Sequence, residues 1–152
     1  MGNIGKFFYY TLGWFLFPVF LNGQTRVRTL ILSGDEVLIG KTFISSQKWN
    51  LIGGGVKKNE SLEDAAKREI LEETGHHLKV GLKHIGKHIH HGYRAKYLAH
   101  IFVAEVEKYQ PKKPREMLSV PWFKLDSLPG NLHPSLELAL KLHLSTTNCY
   151  NT

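Results

Sequence analysis

Residues 52–77, IGGGVKKNESLEDAAKREILEETGHH, constrain the fold more than any other part of the chain. Ser61 is a good helix N-cap, and Gly75 suits the position that follows a helix end. The spacing therefore predicts a helix from Leu62 to Thr74. Three glycines precede it, and glycine lets the backbone adopt positive φ and approach a ligand closely. A glycine loop directly before a capped helix can offer main-chain groups to a metal or a phosphate.

The predicted helix carries three carboxylates, those of Glu69, Glu72 and Glu73, on one side. At about 100° per residue, the helix places small apolar residues on that same side, which should pack inward: Leu62, Ala65 and Ala66. Partly buried like charges repel and lose hydration, so something positive should offset them. A hard cation such as Mg²⁺ takes oxygen ligands of this kind. The alternative is a solvated charged helix in which Arg68 pairs with Glu72.

The remainder of the chain predicts strands interleaved with one further helix. Strands are predicted at residues 26–32, 36–43, 77–85, 94–107 and 120–125, and the helix at residues 134–144. Pro121 places the last of these strands at a sheet edge, because proline cannot donate to a ladder. This alternation indicates an α/β or α+β sandwich.

Length and composition set broader limits. A chain of 152 residues predicts one main domain, and we divide it into a hydrophobic N-terminal segment (1–23), the domain (24–146) and a tail (147–152). The net charge of +7 favours anionic partners, or only aids solubility. The single cysteine, Cys149, allows no internal disulfide, which predicts a reducing, cytoplasmic compartment.

Within the N-terminal segment, the run from Phe7 to Leu21 is rich in aromatic residues and carries no charge. It is shorter than the ~20 residues that cross a bilayer, and Pro18 would interrupt a helix. Two interpretations remain open. The segment forms an extra helix that packs on the domain, or it lies in a membrane interface and gives the protein a peripheral membrane contact.

The glycine loop and helix resemble the Nudix box, G-x5-E-x7-R-E-U-x-E-E-x-G-U. Gly54, Glu60, Arg68 and the residues from Glu69 to Gly75 meet every fixed position except the last, where His76 replaces an aliphatic residue. The resemblance extends over about residues 26–144. It implies a Nudix-like α/β/α sandwich with a mixed sheet.

The resemblance also implies roles for individual residues. Glu69, Glu72 and Glu73 would bind Mg²⁺, with Mn²⁺ as a substitute and the Gly53 carbonyl as an additional ligand. Arg68 would orient the glutamates and Glu60 would brace the loop. Glu72 or Glu73 would act as the general base, and Glu116 is a further candidate that could equally be a solvated loop acid.

The substrate signals are weaker. Gly53, Gly54, Gly55 and Lys57 are expected to contact phosphates. Tyr93 lies where dinucleoside-polyphosphate hydrolases carry a tyrosine, although a tyrosine arises there by chance as well. The surrounding stretch is rich in cations and histidines, which indicates either a basic strand near a phosphate site or plain solvated polarity: Lys83, His84, Lys87, His88, His90, His91, Arg94 and Lys96.

Three functions therefore compete. The resemblance favours a Mg²⁺-dependent hydrolase that cleaves a pyrophosphate linkage in a nucleoside triphosphate, dinucleoside polyphosphate or nucleotide sugar. The alternatives are a non-catalytic module that senses a nucleotide and a membrane-associated hydrolase of lipid-linked diphosphates. A homodimer is a further expectation, and nucleic acid is not expected as a partner, except for an RNA 5′ end.

Overall fold

A mixed sheet lies at the centre of the structure, a computed structural model that describes residues 23–42, 48–91, 96–112 and 117–148, with side chains to residue 145. The described elements are β1 (Thr25–Ser33), β2 (Glu36–Leu38), β3 (Lys41–Thr42), α1 (Leu62–Thr74), β4 (Lys83–His91), β5 (Lys96–Glu105), β6 (Met117–Ser119), β7 (Trp122–Lys124) and α2 (Pro134–Asn148).

Five strands form the main sheet in the order β4-β5-β1-β2-β7, and β3 pairs with β6 in a separate two-stranded sheet. β1 runs parallel to β5, whereas the other pairs are antiparallel. β1 is buried along most of its length, which is why its sequence is almost continuously apolar. β7 lies at the sheet edge, as Pro121 predicts.

The two helices cover opposite faces of the sheet. Val27 of β1 packs with Ala65 and Ala66 of α1. Leu30 and Leu32, which point to the other face of β1, pack with Leu136 and Ala139 of α2. The predicted α/β/α sandwich with a mixed sheet is therefore confirmed.

Two strand predictions were wrong in position. β4 begins at Lys83, so only the end of the strand predicted at residues 77–85 lies in the sheet. Leu78 and Leu82 pack against the core without joining the ladder. The strand predicted at residues 36–43 is divided because β2 pairs with β1 and β7, whereas β3 pairs with β6. β6 was not predicted.

Several predictions concern residues outside the described part of the chain: the N-terminal segment from Phe7 to Leu21, Tyr93, Glu116 and Cys149. Their predicted roles stay predictions, as do the domain boundaries. Within the described ranges, no helix has the length and apolar character needed to cross a membrane.

Candidate active site

The glycine loop is held as an additional strand-like edge beside β1. Val27 N–H donates to the Gly54 carbonyl at 2.9 Å and Thr29 N–H donates to the Ile52 carbonyl at 2.7 Å. Gly53 has φ of 143°, and a Cβ on it would overlap the Val27 carbonyl. Only glycine fits this position, because both the backbone conformation and the space exclude a side chain.

Helix α1 begins and ends as its sequence predicts. The Ser61 hydroxyl accepts a hydrogen bond from Asp64 N–H at 3.0 Å, and Gly75 adopts the left-handed conformation with φ of 69°. Ala65, Ala66 and Ile70 are fully buried. The face that they share also carries the acidic residues, which the burial of the helix directs towards the glycine loop.

The three acidic residues predicted as metal ligands occupy different environments. Glu69 lies against Gly54, where an added Cβ would overlap the carboxylate. Glu73 accepts a hydrogen bond from Gly53 N–H at 2.9 Å. Glu72 is about half exposed, and its carboxylate lies 3.7 Å from the Lys57 ammonium. Glu69 and Glu73 therefore contact the glycine loop. Glu72 lies at the protein surface beside Lys57, which is predicted to contact phosphates.

Arg68 connects this acidic group, as its predicted orienting role requires. Its guanidinium donates to both Glu60 oxygens, at 2.7 and 2.9 Å, and to the Gly55 carbonyl at 2.8 Å. It also donates to Glu69 at 2.7 Å and to Glu72 at 3.1 Å. The hydrogen bond from Arg68 lowers the pKa of Glu60 to about 2 and raises the pKa of Arg68 itself.

Glu73 differs from the other acids in its electrostatics. Burial raises its pKa to about 7, although the Gly53 N–H and the Arg28 charge act in the opposite direction. Glu69 adds to the increase by repulsion. Without a bound cation, the Glu73 carboxylate therefore exchanges its proton near neutral pH.

The oxygen donors fit a hard divalent cation in their chemistry: the Glu69, Glu72 and Glu73 carboxylates and the Gly53 carbonyl. Among the described residues, however, no group of three or more His, Cys, Asp or Glu side chains surrounds a common point. Arg68 binds both Glu69 and Glu72. Each of these carboxylates gives one oxygen to Arg68 and keeps its second oxygen for a cation.

Arg28 belongs to the site and was missed by the sequence predictions. It lies on β1, is 9% exposed, and its guanidinium donates to the Gly53 carbonyl. That bond occupies one of the two lone pairs of the carbonyl and leaves the other for a ligand. The signal was the alternation Arg26-Val27-Arg28, which places two guanidiniums on one face of a buried strand.

His76 departs from the box pattern, which has an aliphatic residue at this position, and makes an aromatic contact instead. Its ring stacks on Tyr109 with centroids 3.8 Å apart. The Tyr109 hydroxyl donates to the Thr74 hydroxyl at 3.2 Å. The Tyr109 backbone carbonyl accepts from the Trp122 indole N–H at 2.8 Å. The departure therefore changes the packing behind α1 and leaves the carboxylates in place.

Comparisons with known proteins agree with this geometry. The NUDIX domain profile matches residues 23–142. The oxidized purine nucleoside triphosphate hydrolase of Mus musculus is 38% identical over 105 residues, which are 66% of this chain and 65% of the relative. An RNA pyrophosphohydrolase of Wolbachia pipientis is 51% identical over 40 residues, 26% of this chain and 25% of that protein.

Among solved structures, the MutT NUDIX hydrolase from Burkholderia pseudomallei superposes with a TM-score of 0.72. It is 25% identical, and the match covers 80% of this chain and 98% of that one. By contrast, the chain spans slightly less than two thirds of the mouse relative.

Proposed function

The chain belongs to the NUDIX domain family, and we propose that it is a Mg²⁺-dependent hydrolase that cleaves a pyrophosphate linkage in a nucleoside triphosphate or a related nucleoside-diphosphate compound. The observation that carries the proposal is the contact between the acidic face of α1 and the glycine loop, where Gly53 N–H donates to Glu73. A pyrophosphate is anionic and repels a nucleophile, so its hydrolysis needs cationic charge and a base held together.

The residues of the chain divide this work. Glu69, Glu72, Glu73 and the Gly53 carbonyl would hold the cation. When bound, it supplies charge neutralisation to the diphosphate and acidifies the attacking water. Arg68 keeps Glu69 and Glu72 oriented by charge-assisted hydrogen bonds.

Glu73 is the general base in this proposal. Its carboxylate lies under the glycine loop, where Gly53 N–H donates to one oxygen, and the other oxygen would take a proton from the attacking water. Lys57 would meet the outer phosphates, because its ammonium lies at the exposed end of the acidic group beside Glu72. The name of the mouse relative, which specifies a nucleoside triphosphate, supports a substrate built on a nucleotide.

The test is hydrolysis by the purified full chain with Mg²⁺, using a panel of nucleoside triphosphates, oxidised deoxynucleoside triphosphates, dinucleoside polyphosphates and 5′-triphosphate RNA. Mass spectrometry of the products identifies the bond that breaks. Cleavage at a pyrophosphate linkage that Glu73→Gln abolishes and Glu63→Gln retains is the expected result. Folded protein that binds these nucleotides without turnover would overturn the proposal in favour of a sensor.

A further inference from the structure

A second polar group lies on the face of the sheet opposite α1, where α2 begins. We name it the cationic cluster, and it consists of Arg26, Arg28, His88, His90 and His133. Arg26 and Arg28 share the face of β1 that carries Leu30, which packs with α2. These five residues come from β1, β4 and the start of α2, so only the folded chain brings them together.

Side-chain contacts link Arg26, His90 and His133 through the Tyr97 ring, and His88 reaches the first turn of α2. The His90 ring stacks on the rings of Tyr97 and His133, with centroids 4.7 and 5.0 Å away. The Arg26 guanidinium lies 5.4 Å from the centroid of the Tyr97 ring. His88 Nε2 lies 3.2 Å from the Ser135 hydroxyl, in the first turn of α2.

The cluster contains buried nitrogen atoms that no described residue satisfies. Arg26 Nε, Arg28 Nε and His88 Nδ1 are all buried and have no hydrogen-bond partner within the described ranges. Arg28 is 9% exposed. A guanidinium does not deprotonate in proteins, so burying its donors without acceptors is unfavourable. The two guanidinium donors on one face indicate that a group rich in acceptor oxygens belongs there, and His88 Nδ1 adds a third donor in the tautomer that carries its proton on that atom.

The charge around the histidines has a single sign. Burial lowers the pKa of His88, His90 and His133, and His133 reaches about 4. The next contribution is the Arg28 charge for His88 and His133 and the His88 charge for His90. The further charged groups that act on these imidazoles are also cationic: Arg26, Lys48, His91 and the neighbouring cluster histidines. No carboxylate contributes to these shifts in the described part of the chain. An anion here would meet no repulsion from an acid on the histidine side.

The cluster also adjoins the carboxylate site. Arg28 donates to the Gly53 carbonyl, and the Glu69 and Glu73 charges act on Arg26. One explanation for the arginines is that they only neutralise Glu69 and Glu73. That explanation does not account for the unsatisfied nitrogen of His88 or for the all-cationic surroundings of His133.

We propose that the cationic cluster binds a phosphate group that the substrate carries in addition to its pyrophosphate linkage. Guanidinium forks match phosphate oxygens with two parallel hydrogen bonds, and neutral imidazoles add further donors. The substrate class is then a pyrophosphate compound with a separate phosphate ester. This inference rests on the proposed function, since it assumes that the linkage lies at the carboxylates.

The experiment compares compounds that differ by one phosphate ester. Isothermal titration calorimetry of the full chain in EDTA measures binding of NADH against NADPH, and of dephospho-coenzyme A against coenzyme A. Loss of a charge-assisted contact changes affinity by about tenfold or more. We expect the phosphorylated member of each pair to bind at least about tenfold more tightly.

Arg26→Met and His133→Gln test the assignment, and circular dichroism verifies that each variant folds. Each should reduce the preference to below about threefold. His91→Gln is the matched control, since His91 is exposed on β4 and alternation turns it away from His90. It should retain the preference. Arg28 is left unchanged because it also contacts the glycine loop.

Equal affinity for both members of each pair, or no binding of either, would overturn the inference. A preference that survives in both folded variants would also overturn it, because the phosphate would then be bound elsewhere. The two proposals fail separately. Turnover of the nucleotide panel without a phosphate preference removes only the cluster assignment, whereas a preference without any turnover removes only the hydrolase.

Discussion

The two faces of the sheet beside the glycine loop carry opposite charges, and they differ in how many hydrogen-bond partners their buried charged groups have. On the α1 face, Arg68 bonds to Glu60, Glu69 and Glu72 and to a loop carbonyl, so most of the acids have a partner. On the α2 face, Arg26 and Arg28 each keep a buried nitrogen without an acceptor. The acids of the α1 face have donors within the chain, whereas each arginine of the α2 face keeps one buried donor without an acceptor.

This difference distinguishes the contributions of charged residues to stability and to binding. A buried ion pair that loses one partner leaves an uncompensated charge, which is strongly destabilising. A buried charge that keeps a donor without an acceptor already carries part of that penalty, so its removal should relieve it. The following predictions test whether the two faces behave in these opposite ways.

Glu73→Gln should have the largest effect, on activity. We expect kcat/KM to fall by roughly 10²–10⁴-fold, the range associated with a general base.

Without metal, the variant should also be more stable than the natural protein at pH 8. Burial raises the pKa of Glu73 to about 7, so ionisation costs stability increasingly from about pH 4.5 and fully above pH 7. Urea titrations at pH 5 and pH 8 measure the change. A variant that is less stable at pH 8 would show that the carboxylate is compensated.

Arg68→Met should have the largest effect on stability. It leaves Glu60 and Glu69, which are 14% and 12% exposed, without their cationic partner. We expect the free energy of unfolding to decrease by about 3 kcal/mol. Lys67→Met is the matched control, because the ion pair between Lys67 and Glu63 is about half exposed, and its loss should lower the free energy of unfolding far less than Arg68→Met does. If both variants lost similar unfolding free energy, the burial of the Arg68 ion pairs would not explain their contribution to stability.

Arg26→Met should act in the opposite direction to Arg68→Met. Burial lowers the pKa of Arg26 to about 10, so its charge costs stability throughout the physiological range. Methionine fills similar volume without a charge, and we expect the free energy of unfolding to stay unchanged or rise by up to about 2 kcal/mol. Thermal and urea unfolding of this variant beside Arg68→Met provide the comparison. A loss as large as that of Arg68→Met would mean that the two faces are equally compensated.

Glu60→Gln should have the smallest effect, and only in part of the pH range. The pKa of Glu60 is lowered to about 2 by Arg68. Its contribution is therefore complete above about pH 4.5 and declines as the pH falls towards 2. The difference in unfolding free energy between the natural protein and the variant should shrink between pH 5 and pH 2.5. A constant difference would show that Glu60 acts through packing alone.

The sequence alone determined the local features of the α1 face. The cap at Ser61, the end at Gly75 and the acidic face depend on neighbours within a few residues, so spacing was enough to predict them. The Nudix box added an orienting role for Arg68 and a bracing role for Glu60, which stay predictions, and in the structure Arg68 donates to Glu60 and Glu69. Strand positions were predicted less well because pairing partners, rather than local propensity, decide where β3 and β4 begin.

Only the tertiary structure decided the α2 face. Arg26 and Arg28 are far in sequence from His88, His90 and His133. β5 lies between β1 and β4 and pairs with both, which brings the arginines and two of the histidines onto one face of the sheet. Local spacing carries no information on such a register, because it follows from which strands share the sheet. The acidic group could therefore be predicted from one helix, whereas the cationic cluster required the assembled sheet and the start of α2.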